Sequence, residues 1–282
     1  LQILHRIAFV ASEADRTEID RLGIKLHPQG MAPPGFISFD VSESNANWPS
    51  VLKWIEERGL GEHWVRTVFT KAEIREARWL QLQSDWHHGY PQPEDGYGYT
   101  RTTYDADGYC PLCGIEGPQR APFVMAGEPR WGTRSILQLN WVFDEFFVTP
   151  DLAGTVFAEA GIGSRPVLNR RGSPLRTVVQ LVVNERVSIQ TRGLPFETCP
   201  RCGRRKYLPI SRGPLAALIA EPIAEMARTD EVFGSGGDAF NAVVVSRKLA
   251  RALTVARVRG VGFAPVAQTT GIPALVDRDR NG

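Results

Sequence analysis

Cys110-Pro-Leu-Cys-Gly114 returns later in the chain as Cys199-Pro-Arg-Cys-Gly203, and the two turns use every cysteine present. A two-residue spacing lets both sulfurs of a pair point at one ion from a tight turn. Pro111 and Pro200 pre-set that turn, while Gly114 and Gly203 admit the backbone conformation needed after the second sulfur. Two such pairs supply all four thiolates of a tetrahedral site, so Cys110, Cys113, Cys199 and Cys202 are read as ligands of one structural Zn2+. The same set holds iron in small rubredoxin-like carriers, and thiol redox chemistry or disulfides are the remaining uses of such pairs. A closed four-thiolate site leaves no position for water, so no catalysis is expected at the metal.

Working outward, each cysteine pair is followed by a similar segment. Phe147-Val-Thr-Pro-Asp-Leu-Ala153 leads through Gly161 to Arg165-Pro-Val167, and Val244-Val-Ser-Arg-Lys-Leu-Ala250 leads through Gly260 to Ala264-Pro-Val266. Both read as an apolar strand, an N-cap at Thr149 or Ser246, a helix with Leu152 or Leu249 inward, a glycine stop and a short strand. Two copies of one unit suggest a weak internal repeat joined at a shared metal. Between them, Thr177-Val-Val-Gln-Leu-Val-Val183 reads as a buried strand.

Towards the N-terminus, Ile3 to Val10 and Phe36 to Val41 read as strands. A helix opens at Asn47 to Ser50 and stops at Gly59. A second is expected from Thr70, with Glu73 completing a capping box, to about Leu80. From Ser84 the pattern changes. Ser84-Asp-Trp-His-His-Gly-Tyr-Pro-Gln-Pro-Glu-Asp-Gly-Tyr-Gly-Tyr99 has no periodicity and reads as a long loop, with a domain boundary placed near residue 109. The expected organisation is therefore an α/β part over 1–109 and a zinc-stapled mixed-sheet domain over 110–282, in a chain of α/β or α+β class.

Other residues invite chemistry. Asp85, His87 and His88 could hold a second metal or do acid–base work, but adjacent histidines point apart and no third partner motif accompanies them. Trp86, Tyr90, Tyr97, Tyr99 and Tyr104 offer contact area for a protein interface, or packing over the core edge. Phe233-Gly-Ser-Gly-Gly-Asp238 lacks the ending of a phosphate loop and reads as a turn. Arg201, Arg204, Arg205 and Lys206 would face phosphates, or would offset the charge of a metal–thiolate centre.

Composition narrows the function classes. Apolar residues make up 43% and charged residues 23%, which excludes disorder and coiled coil. No run approaches a membrane span, and Leu1 to Val10 lacks the features of a signal peptide, so the cytoplasm is the expected compartment. The missing initiator Met points to a trimmed start. The net charge of +2 divides into −5 over residues 1–109 and +7 over 110–282. That basic bias falls short of a dedicated nucleic-acid binder.

The chain over about residues 110–266 resembles the bacterial double-CxxCG proteins, a family associated with immunity to polymorphic or contact-dependent toxins. The resemblance lies in both cysteine turns and in the ending Asn241-Ala-Val-Val-Val-Ser-Arg-Lys-Leu-Ala250 to Gly260-Val-Gly-Phe-Ala-Pro-Val266. It implies a zinc-rigidified, non-enzymatic protein whose partner is a toxin. Residues 1–109 are longer than the family's usual lead-in. The alternatives from the residues alone are a nucleic-acid-binding zinc protein using Arg204 and Arg205, and an enzyme with a site near His87 and His88.

Overall fold

Trp79-Leu-Gln-Leu-Gln-Ser84 alternates apolar and polar side chains, and this period of two makes it a strand at the heart of a mixed sheet. The structure, a computed structural model, describes residues 1–28, 33–60 and 63–268. In chain order the elements begin β1 (Gln2–Val10), α1 (Glu13–Arg21), β2 (Phe36–Ser42), α2 (Trp48–Glu57), β3 (His63–Val68), α3 (Lys71–Glu76), β4 (Trp79–Ser84) and α4 (Tyr99–Thr103). They continue β5 (Val124–Met125), β6 (Ile136–Leu139), β7 (Val142–Val148), α5 (Pro150–Leu152, extended by a π turn over Ala153–Phe157), β8 (Gly163–Asn169) and β9 (Pro174–Val182). The last are β10 (Arg186–Val187), β11 (Phe196–Thr198), β12 (Arg205–Tyr207), β13 (Met226–Phe233), β14 (Phe240–Ser246), α6 (Arg247–Val255) and β15 (Val261–Pro265). The class is mixed α/β, as expected. Among the described residues no helix is long and apolar enough to cross a membrane.

The chain divides after Thr70, not near residue 109: one unit is Leu1–Thr70 with Ile210–Gly213, and the other holds Lys71–Pro209 with the segment from Pro214. The reason is β4. It pairs with β14 and β15, so residues 71–109 belong to the larger unit. The expected helix from Thr70 to Leu80 is accordingly cut to α3.

In the first unit an antiparallel sheet of order β2-β1-β3 presents Ile3 and Ile7 of β1 to the core, with Phe39 and Val41 beside them on β2. Helices α1 and α2 cover that face through Ile19, Leu22, Val51, Trp54 and Ile55. Ser12 and Asp15 form a reciprocal cap on α1, and Arg58 reaches the buried Asp15 carboxylate at 2.5 Å. Asn47 stands before α2 without a side-chain cap, because its amide donates to the Leu22 carbonyl instead.

The larger unit contains the repeat. In one copy the hairpin β6-β7 is followed by α5 and β8, and β9 lies between β7 and β8. In the other, the hairpin β13-β14 is followed by α6 and β15, and β4 lies between β14 and β15. The inserted strand is antiparallel to both its neighbours each time. Thr149 and Ser246 accept a hydrogen bond from the N–H three residues on, as a first turn requires. Leu152 and Leu249 are buried in one shared core with Leu80, Leu82, Phe146 and Phe157. The opposite face of the five-stranded sheet packs Phe147 and Val178 against Phe123, Tyr99 and Tyr104.

The matched geometry predicts matched costs. Leu152→Ala and Leu249→Ala should each lower stability by about 2–5 kcal/mol, and Thr149→Ala and Ser246→Ala by about 1 kcal/mol, in denaturant titrations followed by circular dichroism.

Candidate metal centre and an adjoining polar cavity

Each cysteine turn folds by the same local hydrogen bonds. Gly114 N–H donates to the Cys110 carbonyl and Gly203 N–H to the Cys199 carbonyl, both at 2.9 Å. Cys110 N–H donates to Ile115 and Cys199 N–H to Arg204, at 3.0 and 2.9 Å. Gly114 and Gly203 have φ of +74° and +70°, the left-handed region that glycine adopts without strain. Strands β11 and β12 flank the second turn as an antiparallel ribbon, which fixes its direction.

The four sulfurs lie within 4.8 Å of one another, and the Cys110–Cys199 and Cys113–Cys202 separations are 3.9 and 3.7 Å. A tetrahedron with metal–sulfur bonds of about 2.3 Å has edges of about 3.8 Å, so the donor set fits one metal ion. Cys110, Cys113 and Cys199 are buried and Cys202 is exposed. Backbone N–H groups of Cys113 and Ile115 serve the sulfurs of the first turn, and that of Arg204 serves Cys202. Arg204 also donates from Nε to the Cys202 sulfur at 3.4 Å and from Nη2 to the Ile115 carbonyl at 3.2 Å, tying the turns together. Its guanidinium draws the Cys202 thiol down to about 6, whereas burial pushes the Cys113 thiol up to about 12. Metal uptake must therefore expel the proton of the Cys113 thiol.

Lys206 is 2% exposed, and its ammonium donates to three carbonyls: Cys113 at 2.9 Å, Gly236 at 2.6 Å and Asp238 at 2.9 Å. The glycine-rich turn after β13 is thus a backbone support for the first cysteine turn. Arg205 lies over the Phe196 ring at 4.1 Å. Three members of the basic cluster are engaged in this way, and Arg201 remains exposed.

The loop after β4 is pinned to the five-stranded sheet. His87 bridges to Gln138 and packs edge-on to Phe143, while His88 contacts Trp86. Burial lowers the pKa of both histidines, and Arg130 adds to the effect at His88. Among the described residues the four cysteines form the one group of metal-ligating side chains, so His87, His88 and Asp85 are not gathered around a common ion. Tyr90, Tyr97 and Tyr99 surround Trp141, with ring centroids 4.3, 4.6 and 6.4 Å away. Tyr99 is buried there, but Tyr90 and Tyr97 stay exposed. Trp86 packs on Trp131 and beneath Arg134.

Directly after the first cysteine turn, Ile115 and Glu116 enter the wall of a cavity of about 620 Å³. Asp144 and Glu145 of β7 and Arg228 of β13 face it, and the Arg228 guanidinium lies 2.7 Å from Glu145 and 3.6 Å from Asp144. Burial, with repulsion among these groups, raises the Glu116 and Asp144 carboxyls above the ordinary range. None of these residues was singled out in the sequence. The available signal was charge inside an apolar strand: Asp144-Glu145 within Val142–Val148.

No protein-family model matches the chain, and no curated protein matches it.

The two glycines of the cysteine turns should respond differently to alanine. A Cβ at Gly114 would meet the Gly237 carbonyl oxygen at 1.9 Å, whereas at Gly203 nothing lies within 4 Å. Gly203→Ala should cost only the left-handed backbone penalty, about 1–2 kcal/mol. Gly114→Ala should cost several times that and reduce metal content, as read from unfolding curves and elemental analysis.

Proposed function

We propose that the four cysteines hold one structural zinc ion, and that the chain is a non-enzymatic interaction protein which neutralises a bacterial toxin. The observation that supports it is the closed set of four sulfurs at tetrahedral spacing, three of them buried. Such a centre has every coordination position filled by protein, which suits a staple and leaves none for a substrate. Zinc is favoured over iron because a structural four-thiolate site in a protein of this size needs no redox partner. The toxin as partner rests on the resemblance of the cysteine turns and of residues 241–266 to the double-CxxCG proteins. The exposed aromatic rings of Tyr90 and Tyr97 and the acidic excess of residues 1–109 offer contacts for a basic protein. Arg204 and Lys206 are occupied within the metal centre and its support, which leaves less of the basic cluster for nucleic acid.

Elemental analysis should find one zinc per chain. Cys199→Ser should lose it together with much of the folding stability, since binding energy at such a centre is folding energy. Co-expression with toxins encoded beside the gene should restore growth. Retention of RNA or DNA, weakened by Arg205→Ala and steeply dependent on salt, would instead reject the toxin reading.

A further inference from the structure

We propose that the cavity beside the first cysteine turn binds a small zwitterionic ligand, its ammonium or guanidinium group held by Glu116 and Asp144 and its anionic group by Arg165 and Arg186. This inference stands apart from the toxin reading and rests on the residues that line the cavity.

The lining is rich in carboxyl groups. Glu116, Asp144 and Glu145 line the cavity around the half-buried Arg228. Arg228 binds Glu145, and Glu145 also accepts from Gln180 at 2.7 Å. Gln180 and Gln119 exchange two hydrogen bonds at 2.9 and 2.7 Å, so these amides largely satisfy one another. Asp144 receives the Asn241 N–H at 3.1 Å, and Glu116 is hydrogen-bonded to the buried Tyr104. An ionised carboxylate offers about four lone-pair positions, so Glu116 and Asp144 retain acceptor capacity facing the cavity. Two half-buried carboxyls beyond the one that Arg228 neutralises are favoured by protons or a cation.

Arginines line the cavity as well, beside the exposed Asp230 carboxylate, which accepts from Ser188. Arg165 of β8 and Arg186 of β10 line it, the latter exposed, and Arg186 spends one Nη on the Thr229 carbonyl at 2.9 Å. The buried Nε of Arg228 has no hydrogen-bond partner, a further donor beside the cavity. Carboxylates and arginines lining one cavity of about 620 Å³ match a small molecule with a cationic head and an anionic tail. A single side chain from a protein partner would leave most of that space unfilled.

Isothermal titration of the zinc-loaded full chain tests this with L-arginine, L-lysine and glucosamine 6-phosphate as probes. At least one should bind at sub-millimolar concentration. For L-arginine, replacing the guanidinium by the neutral urea of L-citrulline should weaken binding roughly tenfold or more, the usual loss for a hydrogen bond to a charged group. Agmatine, which lacks the carboxylate, should also bind more weakly. Glu116→Gln should lower affinity for every probe that binds, with Asp144→Asn as the second variant if the first unfolds. Arg165→Gln should weaken the zwitterion and leave agmatine unchanged, which assigns the tail to Arg165. Absence of binding by all three probes would overturn the proposal. So would L-citrulline binding as well as L-arginine, or unchanged affinity in a folded Glu116→Gln protein.

Discussion

Four thiols drawn within 4.8 Å of one another repel as soon as they ionise, and a cation among them removes that repulsion. The surrounding structure relieves that repulsion in stages. Backbone N–H groups point at the sulfurs, Arg204 places a guanidinium against Cys202, and the metal ion that the sulfurs can hold supplies the rest. Because the two turns come from distant parts of the chain, the same contacts close the larger unit on itself. Lys206 extends this logic from sulfur to backbone. Its buried ammonium is surrounded by carbonyl oxygens, so it fixes the first turn onto the glycine-rich turn without needing a carboxylate.

The cysteine junction also shapes the polar cavity. Ile115 is held twice, by Cys110 N–H and by Arg204, and the next residue is Glu116. A carboxyl is thereby presented into a buried space by a backbone that has little freedom to retreat. Asp144 and Glu145 come from one repeat and Arg228 from the other, so the cavity lies where the two copies meet. Polar groups line that meeting place here, while the apolar core that the two copies share includes Leu152 and Leu249.

Local signals were legible in the sequence and non-local ones were not. The cysteine turns, the caps at Thr149 and Ser246 and the inward Leu152 and Leu249 each depend on residues within one or two turns of chain. They could therefore be read directly. The fate of Trp79 to Ser84 depends on β14 and β15, far along the chain, and the capping signal at Thr70 and Glu73 drew the helical reading too far. The domain boundary was misplaced for the same reason. The cavity escaped because its charged groups come singly or in pairs from separate segments, where each looks like an ordinary solvated side chain. Only the placement of Asp144-Glu145 inside an otherwise apolar strand hinted otherwise.

The position of β4 has a consequence for how the chain is made. Both its hydrogen-bonding edges are satisfied by strands that leave the ribosome much later, β14 beginning at Phe240 and β15 ending at Pro265. At ordinary elongation rates the strand waits on the order of ten seconds for its neighbours. Throughout that interval Leu80 and Leu82 sit on an emerging segment with two open edges, the arrangement that invites pairing with a second nascent chain. The first unit faces less of this delay, since its three strands are complete by Val68. Synthesis of the larger unit is thus a period of exposure that ends only once β15 has emerged.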